Sequence, residues 1–360
     1  MTWFLLPFSG LYAAIMALRN WLYDSGFYAS EAGFVPLINV GNLRVGGTGK
    51  TPHVIWLVEE LLRQGQRPAI LSRGYGRRSR GPRLAGPADS AATVGDEPWQ
   101  YYEQFGPQNV PVAVAESRRR GLRLLRVQHP DITVVVLDDA YQHRAVRPAL
   151  NLLLTELARP FYLDYVLPAG RLRESRAGAR RADVVIVTKC PPDLPAAAQA
   201  AIAAHVRRFT RSVEVPVLFS GYDYAPPIPL TPAAQAAPLP ATAAGQPGAT
   251  ALLLSGVAQP GPLRQHLEKQ GYTLAYQARF PDHHAFTPAD LTGLRRHWQP
   301  GWPIFTTQKD AARLRDPELR AALTGLPVYT IPVRVAFLSQ GAAGLRRHLP
   351  VLFTLLAPAD

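Results

Sequence analysis

The chain has 360 residues, 47% of them hydrophobic, a length and composition that allow a sizeable core and argue against a disordered or fibrous protein. Its 39 Lys and Arg against 26 Asp and Glu give a net charge of +13, which favours an anionic partner such as phosphate, nucleic acid or an acidic membrane surface. A single cysteine, Cys190, excludes an internal disulfide and any metal site built from several cysteines.

The chain starts with an apolar segment. Residues 1–18 contain no charged side chain, and 13 of the 16 positions in 3–18 are apolar. A cleaved signal would need a basic start, and the run is short for a membrane span of about 20 residues. Residues 1–28 therefore predict a membrane-associated helix that lies at the interface, with Arg19 and the aromatic residues after it at the headgroup level. The alternative is a helix packed on the protein's own core.

From about residue 34, short apolar runs alternate with helical patterns, as in a parallel sheet covered by helices. This alternation predicts an α/β core domain over residues 29–224, with a parallel sheet like that of P-loop NTPases. The predicted strands are 34–40, 68–71, 110–115, 133–137, 150–154 and 184–188.

A compositional change follows the core. Residues 225–250 are dominated by Ala and Pro, which predicts a linker or an extended crossover. Beyond it, apolar runs at 251–254, 272–276 and 304–307 and a helical pattern from about 259 to 270 predict a second, smaller α/β domain over 251–360.

A glycine-rich loop follows the first predicted strand and precedes a helix with Pro52 near its start. In a P-loop, backbone N–H groups and a helix N-terminus bind phosphate oxygens, the lysine reaches the β and γ phosphates, and the hydroxyl residue holds Mg²⁺. Arg44 occupies the position of the first glycine in G-x-x-x-x-G-K-[ST]. The residues predicted to bind the nucleotide are Gly46, Gly47, Thr48, Gly49, Lys50 and Thr51.

Two carboxylates end a later strand. The apolar run 134–137 is followed by Asp138 and Asp139, an arrangement typical of the Walker B motif. Together with Thr51 they predict a Mg²⁺ site, and with the P-loop they predict Mg-ATP-dependent phosphoryl transfer. The alternative is that the paired aspartates only cap the next turn.

Several further stretches, in this order, resemble the tetraacyldisaccharide 4′-kinase family, the lipid A 4′-kinases of Gram-negative bacteria. The resemblance spans most of the chain and is far more specific than the P-loop alone. The matching stretches are 41–52, 72–76, 94–98, 110–112 with Arg118, 137–143, 167–170, 172–174, 280–283 and 306–310.

The resemblance implies a reaction. The γ-phosphate of ATP would pass to the 4′-hydroxyl of a tetraacyldisaccharide 1-phosphate, forming lipid IVA, at the cytoplasmic face of the inner membrane by a peripheral or monotopic enzyme. ATP and Mg²⁺ are the expected cofactors, the acylated disaccharide and the membrane surface are the expected partners, and neither nucleic acid nor an obligate protein partner is expected.

The resemblance also implies roles for individual residues. Asp96, in the predicted turn 94–98, would be the general base, and His283 would orient it, with His284 as the alternative. Lys50 would act on the triphosphate and Arg173 would steady phosphate charge. The residues expected on the substrate side are Asn42, Arg73, Tyr75, Glu97, Arg118, Gln142, His143 and Glu174.

Three other functions compete with this interpretation. An Asn-Lys-x-Asp motif, which reads guanine, would favour a nucleotide-dependent switch. Residues 187–190 have Lys189 but lack both the Asn and the Asp of that motif. A nucleic-acid-binding protein would interleave its basic residues with exposed aromatic side chains, whereas the run 118–120 is typical of helix-surface charge. A kinase for another small molecule would share the P-loop.

Overall fold

The computed structural model describes residues 3–237, 239–240, 248–257, 259–339 and 341–349. In these residues the strands are β1 Glu31–Ala32, β2 Leu37–Asn42, β3 Pro68–Ser72, β4 Arg83–Leu84, β5 Val112–Val114, β6 Val134–Asp138, β7 Val146–Arg147, β8 Leu150–Glu156, β9 Val184–Thr188, β10 Val217–Tyr224, β11 Ile228–Pro229, β12 Thr250–Ser255, β13 Thr273–Arg279, β14 Ile304–Thr307, β15 Val328–Ile331 and β16 Val333–Phe337.

The α-helices of the same residues are α1 Leu6–Asp24, α2 Lys50–Arg63, α3 Ala91–Val94, α4 Asp96–Phe105, α5 Arg118–Gln128, α6 Ala196–Arg207, α7 Pro232–Ala236, α8 Gly261–Lys269, α9 Pro288–Arg295, α10 Gln308–Leu314, α11 Arg320–Leu323 and α12 Gly341–Arg346. Short 3₁₀ helices span Trp3–Leu5, Gly106–Gln108, Phe161–Leu163, Arg176–Arg181 and Pro317–Leu319.

A nine-stranded sheet forms the core unit, in the order β16-β10-β9-β8-β2-β6-β3-β5-β4. Its seven inner strands are parallel, and the edge strands β16 and β4 pair antiparallel. The inner strands β2, β3, β6 and β9 are buried along their whole length, as their continuous apolar runs predict. The parallel α/β core predicted from the sequence is confirmed.

Strand β2 lies between β6 and β8 in this sheet. Parallel strands place their carboxyl ends at one edge, so the loops after β2, β3, β6 and β8 meet there. The core site is built from these loops. Helix α2 then packs its buried side chains, among them Val54, Leu57, Val58 and Leu61, against the sheet.

A five-stranded sheet, in the order β11-β15-β14-β12-β13, forms the small unit. Strands β12, β13, β14 and β15 are parallel, and β11 pairs antiparallel with β15 at the edge. Its own apolar core includes Leu252, Leu254, Leu291, Ile304 and Val328. The predicted second α/β unit is therefore present.

The predicted boundaries of the second unit need two corrections. Strand β16, inside the predicted 251–360 domain, pairs with β10 of the core unit, and Phe337 packs against Trp56 of α2 with ring centroids 4.9 Å apart. The predicted linker 225–250 contains β11 and α7, and residues 238 and 241–247 of it lie outside the described part. Edge pairing uses backbone groups, so an Ala- and Pro-rich composition does not prevent it.

Helix α1 turns a polar side toward the protein and an apolar side away from it. The Ser9 hydroxyl donates to the Val166 carbonyl at 2.9 Å, the Tyr12 hydroxyl to the Arg173 carbonyl at 3.0 Å, and the Asn20 amide to Glu174 Oε2 at 2.9 Å. The most exposed large side chains of α1 and of the 3₁₀ turn before it fall at spacings of three or four residues, so they form one stripe. They are Phe4, Phe8, Leu11, Ile15, Leu18 and Trp21.

This orientation contradicts the alternative that the apolar face of α1 packs on the protein's own core. Leu11 remains 64% exposed and Leu18 59% exposed, whereas the buried residue of the helix is Ser9. No helix in the described ranges is long and apolar enough to cross a bilayer.

Candidate active site

The glycine-rich loop after β2 is closed by side-chain hydrogen bonds. The Asn42 amide donates to Thr48 Oγ1 at 2.8 Å, and the Thr188 hydroxyl donates to the Thr48 carbonyl at 2.9 Å. Gly49 precedes α2 with a φ of +88°, and a side chain there would collide with the Tyr222 hydroxyl. The N-terminal N–H groups of α2 are thus directed at the loop, which is an anion-binding arrangement.

Arg44 has a structural role at the position of the missing first glycine. Its Nε lies 2.6 Å from Asp164 Oδ2, and its Nη1 lies 3.6 Å from Glu156 Oε2. The next residue, Val45, donates its N–H to the Arg171 carbonyl at 2.8 Å. Arg44 therefore ties the P-loop to the segment that carries Arg173.

Three charged side chains meet between the P-loop and β6. Asp139 accepts from Arg173 Nη1 at 2.9 and 3.0 Å, and its Oδ1 lies 3.7 Å from Lys50 Nζ. Burial alone would raise the pKa of Asp139, but the positive charges of Lys50 and Arg173 outweigh burial and lower it. Asp139 therefore stays ionised and holds both cations beside the P-loop.

Asp138 lies in a different electrostatic environment. It is buried, its Oδ2 accepts from the Ser72 hydroxyl at 2.9 Å, and Arg118 bonds its backbone carbonyl at 2.9 Å. Burial, followed by the negative charges of Glu97 and Asp139, raises the pKa of Asp138 to about 7. The charge of Lys50 acts in the opposite direction, but the Asp138 carboxylate forms no ion pair in the described residues, so a bound cation would stabilise its charged form.

Asp96 and His283 come together across the two units. His283 Nδ1 lies 3.0 Å from Asp96 Oδ2, and Arg313 Nε lies 3.5 Å from the same oxygen. His284 faces another way, since its Nε2 lies 2.9 Å from Asp290 Oδ2 and its ring stacks on Phe280. The geometry therefore selects His283 rather than His284 as the partner of Asp96.

Asp96 was predicted to lie in a turn, but it is the first residue of α4. Gly95 has a φ of +99°, which lets the chain enter the helix there, and the positive end of the helix dipole favours Asp96 and Glu97 in the first turn.

The predicted substrate residues divide into buried or half-buried side chains and exposed ones. Gln142 donates to Glu174 Oε1 and to the Asn42 carbonyl, both at 3.0 Å, beneath α1. Burial and then the charges of Arg118 and Arg73 lower the pKa of His143 to about 4. Arg73 and Tyr75 are exposed on the loop after β3, and the Tyr75 and His283 rings are 5.7 Å apart.

Arg118, predicted to contact the substrate, is buried and bonded to the backbone. It is 2% exposed, and it donates to the Ala115 carbonyl at 2.8 Å and to the Asp138 carbonyl at 2.9 Å. Its guanidinium therefore holds together the ends of β5 and β6.

Several residues of the site were not among those predicted from the sequence. Lys309 and Arg313 contact His283 and Asp96 from α10, where their spacing of four residues places them on one helix face. In the sequence, Lys309 lies within the matching stretch 306–310 and Arg313 follows one helical turn later. Ser72 lies in the matching stretch 72–76, whereas His53 and Ser220 carried no comparable signal, because their hydrogen bond joins positions distant in the chain.

His53 is buried and contacts the backbone at the end of the glycine-rich loop. Its Nδ1 lies 2.7 Å from the Gly49 carbonyl, which can only accept, and its Nε2 lies 2.9 Å from the Ser220 hydroxyl. Burial lowers the pKa of His53 to about 4, although the Gly49 hydrogen bond acts in the opposite direction.

The His53 environment predicts a pH dependence of stability. Between about pH 6.5 and pH 4 the unfolded chain binds a proton at His53 that the folded chain does not bind, so this contribution falls as the pH falls. Between pH 7.5 and pH 5, we expect the free energy of unfolding of the parent to fall by about 2 kcal/mol more than that of His53→Asn. Urea unfolding of both proteins at the two pH values is the measurement. His297→Asn, at an exposed position, is the control. An identical pH dependence in the His53 variant and the parent would contradict the prediction.

The chain is similar to known kinases along almost its whole length. The family model described as tetraacyldisaccharide-1-P 4′-kinase matches residues 1–350. A tetraacyldisaccharide 4′-kinase of Bacteroides thetaiotaomicron is 39% identical, with 96% of this chain and 91% of that protein covered. One of Flavobacterium johnsoniae is also 39% identical, with 93% of each covered. The crystal structure of LpxK from Aquifex aeolicus in complex with ATP has a TM-score of 0.72 and 28% identity, with 97% of this chain and 98% of that one covered.

Proposed function

Because the chain belongs to the tetraacyldisaccharide-1-phosphate 4′-kinase family, we propose that its phosphoryl transfer takes place between the P-loop and the Asp96–His283 pair, at a membrane surface. The activity is that of the family, the ATP-dependent phosphorylation of the 4′ position of a lipid disaccharide phosphate in lipid A biosynthesis. The residue roles and the membrane contact are the proposal.

One observation carries the placement of the reaction. The first turn of α4 supplies Asp96, which contacts His283 of the small unit, and Glu97, whose charge acts on Asp138 of the Walker B strand. On this basis we place the base and the glycine-rich loop on opposite sides of one reaction space. An acceptor hydroxyl at Asp96 and a γ-phosphate at Lys50 would meet there.

Asp96 is proposed to accept the proton of the 4′-hydroxyl. The oxygen then bonds to the γ-phosphorus as the bond from that phosphorus to ADP breaks, and His283 holds the carboxylate in position. Exposed Tyr75, beside the His283 ring, is placed to contact the disaccharide.

Lys50 and Arg173 are proposed to neutralise phosphate charge. Phosphoryl transfer depends mainly on positioning and on electrostatic stabilisation of the transferred group. Both cations are oriented before substrate arrives because both contact Asp139. Asp139 in this proposal organises the cations.

The donor set also fits Mg²⁺. Magnesium is usually held by one or two carboxylates, with the remaining positions filled by water and substrate phosphates, and no group of three or more metal-ligating side chains occurs in the described residues. Asp138, with its raised pKa, and the Thr51 hydroxyl are the proposed protein ligands, with Asp139 beside them. When bound, the ion would neutralise charge on the phosphate oxygens.

The exposed stripe of α1 is proposed to enter the headgroup and acyl boundary of the cytoplasmic face of the inner membrane, as a peripheral contact. Its polar side is engaged with the segment that carries Arg173 and Glu174, so the helix joins the membrane to the active site. An acylated substrate resides in the bilayer, which is where such a stripe would place the enzyme.

Vesicle binding tests the membrane contact. We expect Leu11→Gln, Ile15→Gln and Leu18→Gln together to weaken binding to phospholipid vesicles roughly 100-fold, because each exposed side chain would bury apolar surface in the lipid. Cosedimentation with neutral and anionic vesicles is the measurement, with circular dichroism to check the fold. Val127→Gln with Val213→Gln, at exposed apolar positions elsewhere, is the matched control. Unchanged binding of the triple variant would refute the membrane role of α1.

A further inference from the structure

Lys309 lies in the first turn of α10 and contacts side chains of both units. Its Nζ is 3.0 Å from Nε2 of His283 and 3.5 Å from Oδ1 of Asp282 in the small unit. It is also 3.2 Å from Oε1 of Glu97 on α4 of the core unit. Lys309 therefore occupies the side of the His283 ring opposite Asp96.

The two contacts of the His283 ring require one proton arrangement. A lysine ammonium has three N–H donors and no acceptor, so Nε2 of His283 accepts from Lys309. The ring proton then lies on Nδ1, which donates to Asp96 Oδ2 at 3.0 Å. The hydrogen bonds run in one direction, from Lys309 through His283 to Asp96.

We propose that Lys309 is a positioning residue that selects the Nδ1–H tautomer of His283 and so fixes the orientation of Asp96. The inference rests on the proposed roles of Asp96 and His283. Because Glu97 belongs to the core unit, its contact with Lys309 forms only where the two units meet.

Arg313, the second cation beside the Asp96–His283 pair, cannot substitute for Lys309. Arg313 Nε reaches Asp96 Oδ2 at 3.5 Å, but its Nη1 donates to the His284 carbonyl at 2.7 Å and its Nη2 to Asp310 Oδ1 at 2.7 Å. The N–H groups of Arg313 are therefore already bonded on the Asp96 side of the His283 ring. Lys309 is the cation that Nε2 of His283 contacts.

Replacement by methionine removes the donor while keeping a side chain of similar length. We expect Lys309→Met to lower kcat about 10- to 100-fold, as loss of an outer partner that orients a functional histidine does, with KM for ATP and lipid changed less than about threefold. In ring-labelled protein without substrate, nitrogen-15 NMR should show His283, identified by its loss in His283→Asn, as a mixture of tautomers instead of Nδ1–H alone.

Two further variants complete the test. Lys309→Arg, which restores a cation without an acceptor, should recover the single tautomer and most of kcat. Lys269→Gln, at an exposed lysine of α8, should match the parent in both measurements. If Lys309→Met fails to fold, as judged by circular dichroism, the tautomer of His283 in Lys309→Leu, which also lacks a donor, compared with Lys309→Arg decides.

The inference is overturned if His283 keeps a single Nδ1–H tautomer without the lysine, even where kcat falls. It is also overturned if the tautomer changes and kcat does not. Failure of the underlying assignment is distinguishable, because a fully active Asp96→Asn enzyme would remove Asp96 as base whatever the NMR of Lys309→Met shows.

Discussion

Asp96→Asn is expected to lower kcat by about 10²- to 10⁴-fold while KM for ATP changes little. The substitution keeps the size of the side chain and can still contact His283, but an amide cannot take the proton of the acceptor hydroxyl, and general base catalysis contributes at about this level. Transfer of labelled phosphate from ATP to the lipid disaccharide 1-phosphate in detergent is the measurement, with the Mg²⁺ concentration held constant.

Glu103→Gln provides the matched control for Asp96. Glu103 lies two turns further along α4 and also pairs with the small unit, through Arg315. Its loss removes a contact between the units without touching the proposed base, so we expect kcat to change less than about threefold. Similar losses in both variants would show that the contact between units, rather than the carboxylate of Asp96, limits turnover.

The second large effect is expected at Lys50. Lys50→Ala should lower kcat about 10³-fold, since it removes a preoriented cation from the phosphate group in a site where charge develops. Asp139 would retain Arg173 at 2.9 Å, so the fold should survive the substitution. Steady-state turnover and nucleotide binding by calorimetry, measured on the same preparation, separate lost catalysis from lost binding.

Lys50→Ala has its own control in Lys269→Gln, which removes one positive charge from an exposed position of the small unit. Turnover of Lys269→Gln should equal that of the parent. Were Lys50→Ala to retain more than about a tenth of the parental kcat, Lys50 would not be the principal cation of the transfer.

The agreement between sequence and structure is closest in the core sheet. Predicted strand 184–188 coincides with β9, and 68–71, 133–137 and 150–154 fall within one or two residues of β3, β6 and β8. These strands are buried on both faces, so the sequence shows them as continuous apolar runs. Strand 34–40 was placed three residues early, because Phe34 and Val35 are apolar but only partly buried beside the sheet.

Prediction was weaker where pairing depends on distant segments. Strand β16 alternates between half-buried and exposed positions, and its partner β10 lies more than 100 residues earlier in the chain. No local pattern distinguishes an edge strand that stays in the small unit from one that returns to the core unit.

The sequence by itself determined the parallel α/β core, the glycine-rich loop between β2 and α2, the pair of carboxylates at the end of β6 and, through its motifs, the family. These features are local, because a loop between a strand and a helix is encoded by adjacent residues. Only the tertiary structure decided that His283 rather than His284 faces Asp96, that Asp139 holds Lys50 and Arg173 while the Asp138 carboxylate forms no ion pair in the described residues, and that the apolar stripe of α1 points outward. The first two depend on which distant side chains meet in the folded protein, and the third depends on which side of α1 the rest of the protein covers. Spacing along the chain does not encode either.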